Sequence, residues 1–151
     1  MKASEIMTTN VITVGPDVEV HALAAIFVEN DISGAPVVDK SGKFLGIVLE
    51  ESLIFREKKL HLPTFFFMLS GFLTFGEKEY ENELKKISSS TVSGIMDDNA
   101  IILSPDTEVD EVATIMVEKN QHFFPVIENH KLLGVLTKKD IVRAIALKKL
   151  Y

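Results

Sequence analysis

The chain carries a near copy of itself. Laying Ser4–Asp39 over Ser93–Glu128 without a gap leaves 15 of 36 paired residues identical, including Ile6/Ile95, Met7/Met96, Asn10/Asn99, Pro16/Pro105, Asp17/Asp106, Pro36/Pro125 and Val37/Val126. After a slip of one residue, Gly46-Ile47-Val48 lies over Gly134-Val135-Leu136. Such self-similarity at a fixed offset marks a repeated structural unit. In a chain of 151 residues, each copy is too small to bury a core alone. The copies must share one fold, packed about a pseudo-two-fold axis.

Both copies carry the same pattern. A β-branched run (Val11–Val14; Ala100–Leu103) leads into Gly-Pro-Asp or Ser-Pro-Asp, which predicts a helix start. Apolar residues then recur at helical spacing: Val20, Leu23, Ile26 and Phe27, matched by Val109, Val112, Ile115 and Met116. Two short strands follow across a polar turn, Pro36–Val38 with Phe44–Leu49 and Pro125–Ile127 with Leu132–Leu136. A closing helix is strongest at Lys138–Lys148. The expected fold is α/β in the α+β sense, two β-α-β-β-α repeats at 2–55 and 91–148. An unrepeated segment, 56–90, joins them.

Composition removes several function classes. The net charge of −6, without a dense Lys/Arg block, argues against nucleic acid as a partner. With no Cys, disulfide scaffolds, thiol catalysis and cysteine metal sites are excluded. The four His (His21, His61, His122, His130) stand at no metal-ligand spacing, and His21 reads as a surface residue. No P-loop, nucleophile elbow or dinucleotide glycine motif is present. No catalytic residue and no metal ligand is assigned. The greasiest window, Leu62–Phe75, is broken by Pro63, Ser70 and Gly71 and falls short of the ~20 apolar residues of a membrane span. The first residues lack a signal-peptide pattern, so the expected location is cytoplasmic.

Several motifs together carry a resemblance. They are Ile6-Met7 before a β-branched run, the Pro-Asp pair, Gly34-Ala35-Pro36-Val37-Val38-Asp39 and Gly134-Val135-Leu136-Thr137-Lys138-Lys139-Asp140. On these the chain resembles a tandem pair of cystathionine β-synthase (CBS) domains, the arrangement called a Bateman module. The resemblance covers about 2–54 and 92–147. It implies a regulatory module that binds an adenosine-containing molecule between the repeats: AMP, ADP, ATP or S-adenosylmethionine. No cofactor is required. By the resemblance, Thr137 and Asp140 hold ribose and the nearest phosphate. Val135, Ile12, Ile32 and Pro36 sandwich adenine, whose edge meets backbone near Asn10 and Ala35. His122 and Lys139 face phosphate. The implied partners are that small molecule, a second copy in a homodimer, and a regulated protein.

The residues of this site also speak for themselves. A carboxylate three residues after a hydroxyl, at a strand-to-helix junction, can accept both hydroxyls of a ribose diol. Free N–H groups of the first helical turn, with Lys138 and Lys139, suit a phosphate. The same spacing is a helix-capping signature, and both roles stay open. In the first copy Leu49 and Ser52 replace Thr137 and Asp140, while Glu50 and Glu51 replace the two lysines. That cleft is expected to be a poor nucleotide site, leaving one competent site.

The joining segment holds half of the chain's ten Phe: Phe65, Phe66, Phe67, Phe72 and Phe75. A helix from Pro63 and an acidic helix with Tyr80, Leu84 and Ile87 on one face are expected there. The cluster packs on the module or forms an interface. The second option supports an alternative function, an interaction scaffold with degenerate nucleotide sites acting through this segment.

Overall fold

The computed structural model describes residues 1–57 and 91–147. The expected Phe-rich helices lie outside the described residues. The first copy contains α1 (Ala3–Ile6), α2 (Val20–Asn30), β1 (Gly34–Val38), β2 (Phe44–Leu49) and α3 (Glu50–Glu57). The second contains α4 (Val92–Ile95), α5 (Val109–Lys119), β3 (Phe123–Glu128), β4 (Lys131–Thr137) and α6 (Lys138–Ala146).

The long helices follow the sequence pattern. Val20, Leu23 and Phe27 of α2, and Val109, Val112 and Met116 of α5, form the buried stripes. Each helix ends on a left-handed residue, Asp31 (φ 51°) or Asn120 (φ 51°), a backbone state that short polar side chains tolerate at a C-cap.

Two expectations need correction. The Pro-Asp pairs do not open helices, since α2 and α5 start at Val20 and Val109. Gly15–Val18 closes a turn of its own, Val18 N–H donating to Gly15 O at 3.3 Å, with Pro16 at the position a β-turn favours for proline. The runs 11–14 and 100–103 are not strands. Each makes a single parallel bridge, Val14 to Val37 and Leu103 to Val126, before the turn carries the chain off the sheet.

Each copy holds one antiparallel hairpin, and the registers correspond: Gly34 faces Leu49 as Phe123 faces Thr137, and Pro36 faces Ile47 as Pro125 faces Val135. Alternation along the strands gives each hairpin two apolar faces. One face of β1–β2 (Ala35, Val37, Val48) packs under α2, and one face of β3–β4 (Phe124, Val126, Leu136) packs under α5. The opposite faces meet between the copies, where Ile47, Phe123 and Val135 cluster with Val11, Phe44, Leu49 and Ala100.

The copies also exchange their leading turns. Ala3 of α1 is buried in the core of the second copy, and Val92 and Ile95 of α4 are buried in that of the first. The backbone bonds are symmetric: Ala3 N–H to Thr107 O and Ser4 N–H to Pro105 O, against Val92 N–H to Val18 O and Ser93 N–H to Pro16 O. Thr8 and Val135 trade both backbone bonds at 2.9 Å, and Asp97 and Ile47 trade theirs at 2.8 and 3.0 Å. These crossings explain two glycines. A Cβ on Gly134 would stand 2.6 Å from Thr8 O, and one on Gly46 2.6 Å from Asp97 O.

Candidate functional site

The crossing of Thr8 over Val135 builds the site around Asp140. β4 ends at Thr137 and α6 begins at Lys138, so Asp140 occupies the first helical turn. Its side chain is only 3% exposed, and it is the sole buried charged residue among those described. Oδ2 accepts the backbone N–H and the hydroxyl of Thr137, both at 2.8 Å. Oδ1 accepts the hydroxyl of Thr8 at 2.9 Å and Arg143 Nη1 at 3.0 Å. Four donors match the roughly four lone-pair positions of a carboxylate. The capping role is therefore filled, with a reciprocal box between Thr137 and Asp140.

The same arrangement suits a diol. Two of the four donors are hydroxyls, whose hydrogens rotate freely. Ribose hydroxyls can replace them on the two carboxylate oxygens, while the Thr137 N–H and the Arg143 guanidinium keep the charge compensated. Thr8 and Arg143 were not singled out from sequence. Arg143, one helical turn beyond Asp140, could have been found by i,i+3 spacing. Thr8 left no signal, because 132 residues separate it from Asp140.

The other expected site residues fall in distinct places. Thr137 and Val135 adjoin Asp140, Val135 on the face between the copies. Pro36 is fully buried on that face, opposite Ile47. Ala35 points into the core of the first copy and Ile32 packs against it, so at Ala35 only backbone is left for a ligand. Asn10 and Ile12 are exposed just beyond Thr8, and Lys139 is exposed on α6. His122 is half-buried. Its Nε2 lies 3.1 Å from Asn120 Oδ1, while Nδ1 is buried without a hydrogen-bond partner. With Nε2 donating to the amide oxygen, neutral His122 presents Nδ1 as an acceptor.

The cleft of the first copy is built differently. Ser52 Oγ accepts the Leu49 N–H at 3.3 Å, a remnant of the Thr137–Asp140 cap without its charge. Phe123 stands where the other side has Gly34, and Leu49 where it has Thr137. Both side chains close on Gly34, where a Cβ would lie 2.7 Å from Leu49 Cδ2 and 3.1 Å from Phe123 Cδ2. Aromatic and aliphatic groups fill this side.

Among the described residues no group of three His, Cys, Asp or Glu is placed to hold a metal. No described helix is long and apolar enough to cross a membrane.

Comparison with known proteins places these features in a family. The CBS domain model matches residues 3–59 and 92–147. The protein MJ1426 of Methanocaldococcus jannaschii is 29% identical over 143 residues, 89% of this chain and 85% of its own. CBSX1, a chloroplastic CBS domain-containing protein of Arabidopsis thaliana, is 26% identical over 137 residues, 87% of this chain and 57% of its own. Among solved structures, CBSX2 in complex with AMP superposes with a TM-score of 0.81 at 23% identity, covering 99% of both chains. The CBS domain pair of MJ0100, in complex with 5′-methylthioadenosine and S-adenosylmethionine, gives 0.70 at 23% identity and 98% coverage of both. The chain belongs to the CBS domain family and is built as a tandem pair of CBS domains, a Bateman module.

Proposed function

We propose that this chain is a regulatory module that binds one adenosine-containing ligand in the cleft of Asp140. The carrying observation is the buried carboxylate, which gathers hydroxyl donors from both copies, Thr8 from the first and Thr137 from the second. A ribose diol exchanged for those hydroxyls bonds the ligand to the point where the copies cross. Adenine then lies among Val135, Ile12, Ile32 and Pro36, with its edge on backbone near Asn10 and Ala35. Lys139 and His122 serve the phosphate side. The ligand complexes of CBSX2 and MJ0100 support this class of ligand. Phe123 and Leu49 support a single site per chain.

No catalytic role is assigned, and none of the proposed chemistry needs a cofactor. The output passes through a homodimer to a regulated protein, by ligand binding that favours one arrangement of the two copies. The cytoplasmic location expected of the cysteine-free sequence belongs to the same proposal. Calorimetric titration of AMP, ADP, ATP, S-adenosylmethionine and NADH into wild type and Asp140→Ala tests the site. The expected result is one site of micromolar affinity for at least one of them, weakened at least tenfold by the substitution. If nothing binds the wild type, the module is not a nucleotide sensor; equal binding by both proteins removes Asp140 from the site.

One observation favours a protein-binding surface. Val28 and Val117 are equivalent residues of the two copies, yet they are 82% and 84% exposed on α2 and α5. Ile54 and Val142, also equivalent, are 70% and 63% exposed. Paired apolar positions left bare by the fold suit a second copy of the chain.

A further inference from the structure

The tips of the two hairpins meet at the far end of the strands from Asp140. Lys43 and Lys131 face each other in an antiparallel backbone bridge. They are equivalent residues of the two copies, so the bridge lies on the pseudo-two-fold axis. A cavity of about 390 Å³ opens around it, lined by Ser41, Gly42 and Lys43 from one tip and Asn129, His130 and Lys131 from the other. That volume lies within the range of about 300–1,000 Å³ common for small-ligand sites.

Charge is the unusual feature of this place. Residues directly opposed in an antiparallel pair have Cβ atoms about 4.5–5.5 Å apart, and like charges there destabilise the pair. Neither lysine closes an ion pair among the described residues. The nearest acid of the first tip, Asp39, attracts Lys43 only weakly, because its carboxylate is engaged first in its own turn. Asp39 Oδ1 accepts Ser41 N–H at 2.8 Å, Ser41 Oγ at 2.6 Å and Lys43 N–H at 2.9 Å. On the second tip Glu128 stands opposite Lys131 in the ladder and makes no ion pair with it. A chain of net charge −6 thus sets two lysines opposite each other, with His130 beside them, around an open cavity.

We propose that this cavity is an anion site, taking a phosphate-class oxyanion with two or more negative charges between Lys43 and Lys131. The oxyanion bridges the two ammonium groups, relieves their repulsion and ties the hairpin tips together. The site is separate from the cleft, because Lys131 begins β4 and Thr137 ends it, about 20 Å away along an extended strand. It goes beyond the nucleotide reading and does not depend on it. Free inorganic phosphates and the phosphate chain of a nucleotide share the required chemistry.

The test is calorimetric titration of inorganic pyrophosphate into the full chain at low ionic strength, for wild type and the double variant Lys43→Gln/Lys131→Gln. Wild type is expected to bind one pyrophosphate saturably, and the double variant at least tenfold more weakly. Saturating AMP should leave pyrophosphate binding unchanged, and the double variant should bind AMP as wild type does. With the cleft removed by Asp140→Ala, tripolyphosphate as tight as ATP identifies a free oxyanion as sufficient, whereas tighter ATP that is lost with Lys43→Gln/Lys131→Gln identifies a nucleotide; both uphold the site. The proposal is overturned by non-saturable heats, by undiminished binding in the double variant, or by AMP displacing pyrophosphate. A thermal melt checks the premise. Removing the repulsion between the two lysines should leave the melting temperature of the double variant equal to wild type or higher, and a clear drop overturns it.

Discussion

Asp140 caps a helix with the same two carboxylate oxygens that are proposed to take a ribose diol. Its removal therefore has two separable effects. Asp140→Ala strands the Thr137 N–H and the Thr8 hydroxyl, and a loss of about 1–3 kcal/mol is expected for such groups when buried. Thermal or urea unfolding measures that part, and ligand titration measures the other. Gly134 is governed by backbone rather than chemistry. Gly134→Ala drives a Cβ against Thr8 O, and a loss of about 2 kcal/mol or more is expected from the forced shift. Gly15→Ala is the control, since a Cβ there meets nothing within 4 Å; unfolding curves should show it neutral or slightly stabilised. Asp39 gives a pH effect. Bonds from Ser41 above all, and from the Lys43 backbone, hold its carboxyl below the ordinary 3.8. A depressed folded value means stabilisation present above about pH 3.8 and lost as pH falls through the lower folded value. Melting temperatures between pH 5 and pH 2 should fall less steeply in Asp39→Ala than in wild type.

At the scale of elements, the exchanged turns decide how the cores hold together. α1 and α4 are single turns of four residues, too short to be stable alone. They persist because each buries its apolar residues in the other copy. Val92→Ala removes two methyl groups from the core of the first copy, at a cost of about 2 kcal/mol. Amide exchange should report the loss in Val20–Asn30 and β1 before it appears in Val109–Lys119, although Val92 belongs to the second copy by sequence. Equal loss in both helices would mean the two cores open as one unit. The bare valines of α2 and α5 point the other way, toward association. If the proposed homodimer uses this face, Val28→Glu with Val117→Glu should leave the fold intact and reduce the sedimentation mass, and an unchanged mass overturns that assignment.

The whole molecule shows why parts of this structure were legible in advance. The duplication shows as a direct match of residues, while the buried stripes of α2 and α5, the strand Phe44–Leu49 and the pairing of Thr137 with Asp140 depend on residues close in sequence. Periodicity and spacing report such contacts directly. The contrast between Leu49/Ser52 and Thr137/Asp140 was legible for the same reason. The turns at Pro16 and Pro105 read as helix starts because proline serves both, and the choice rests on their carbonyls accepting the N–H groups of Ser93 and Ser4 from the opposite copies. Phe123 looked like any strand residue until the sheets were stacked and it closed on Gly34. By itself, the sequence determined that the chain is two like halves and that their functional ends differ. Only the tertiary structure decided that the halves trade their first turns, that Thr8 reaches Asp140, and that Lys43 faces Lys131. Those contacts join residues about 75 to 130 apart in the chain, and no local pattern encodes a distance that packing alone closes.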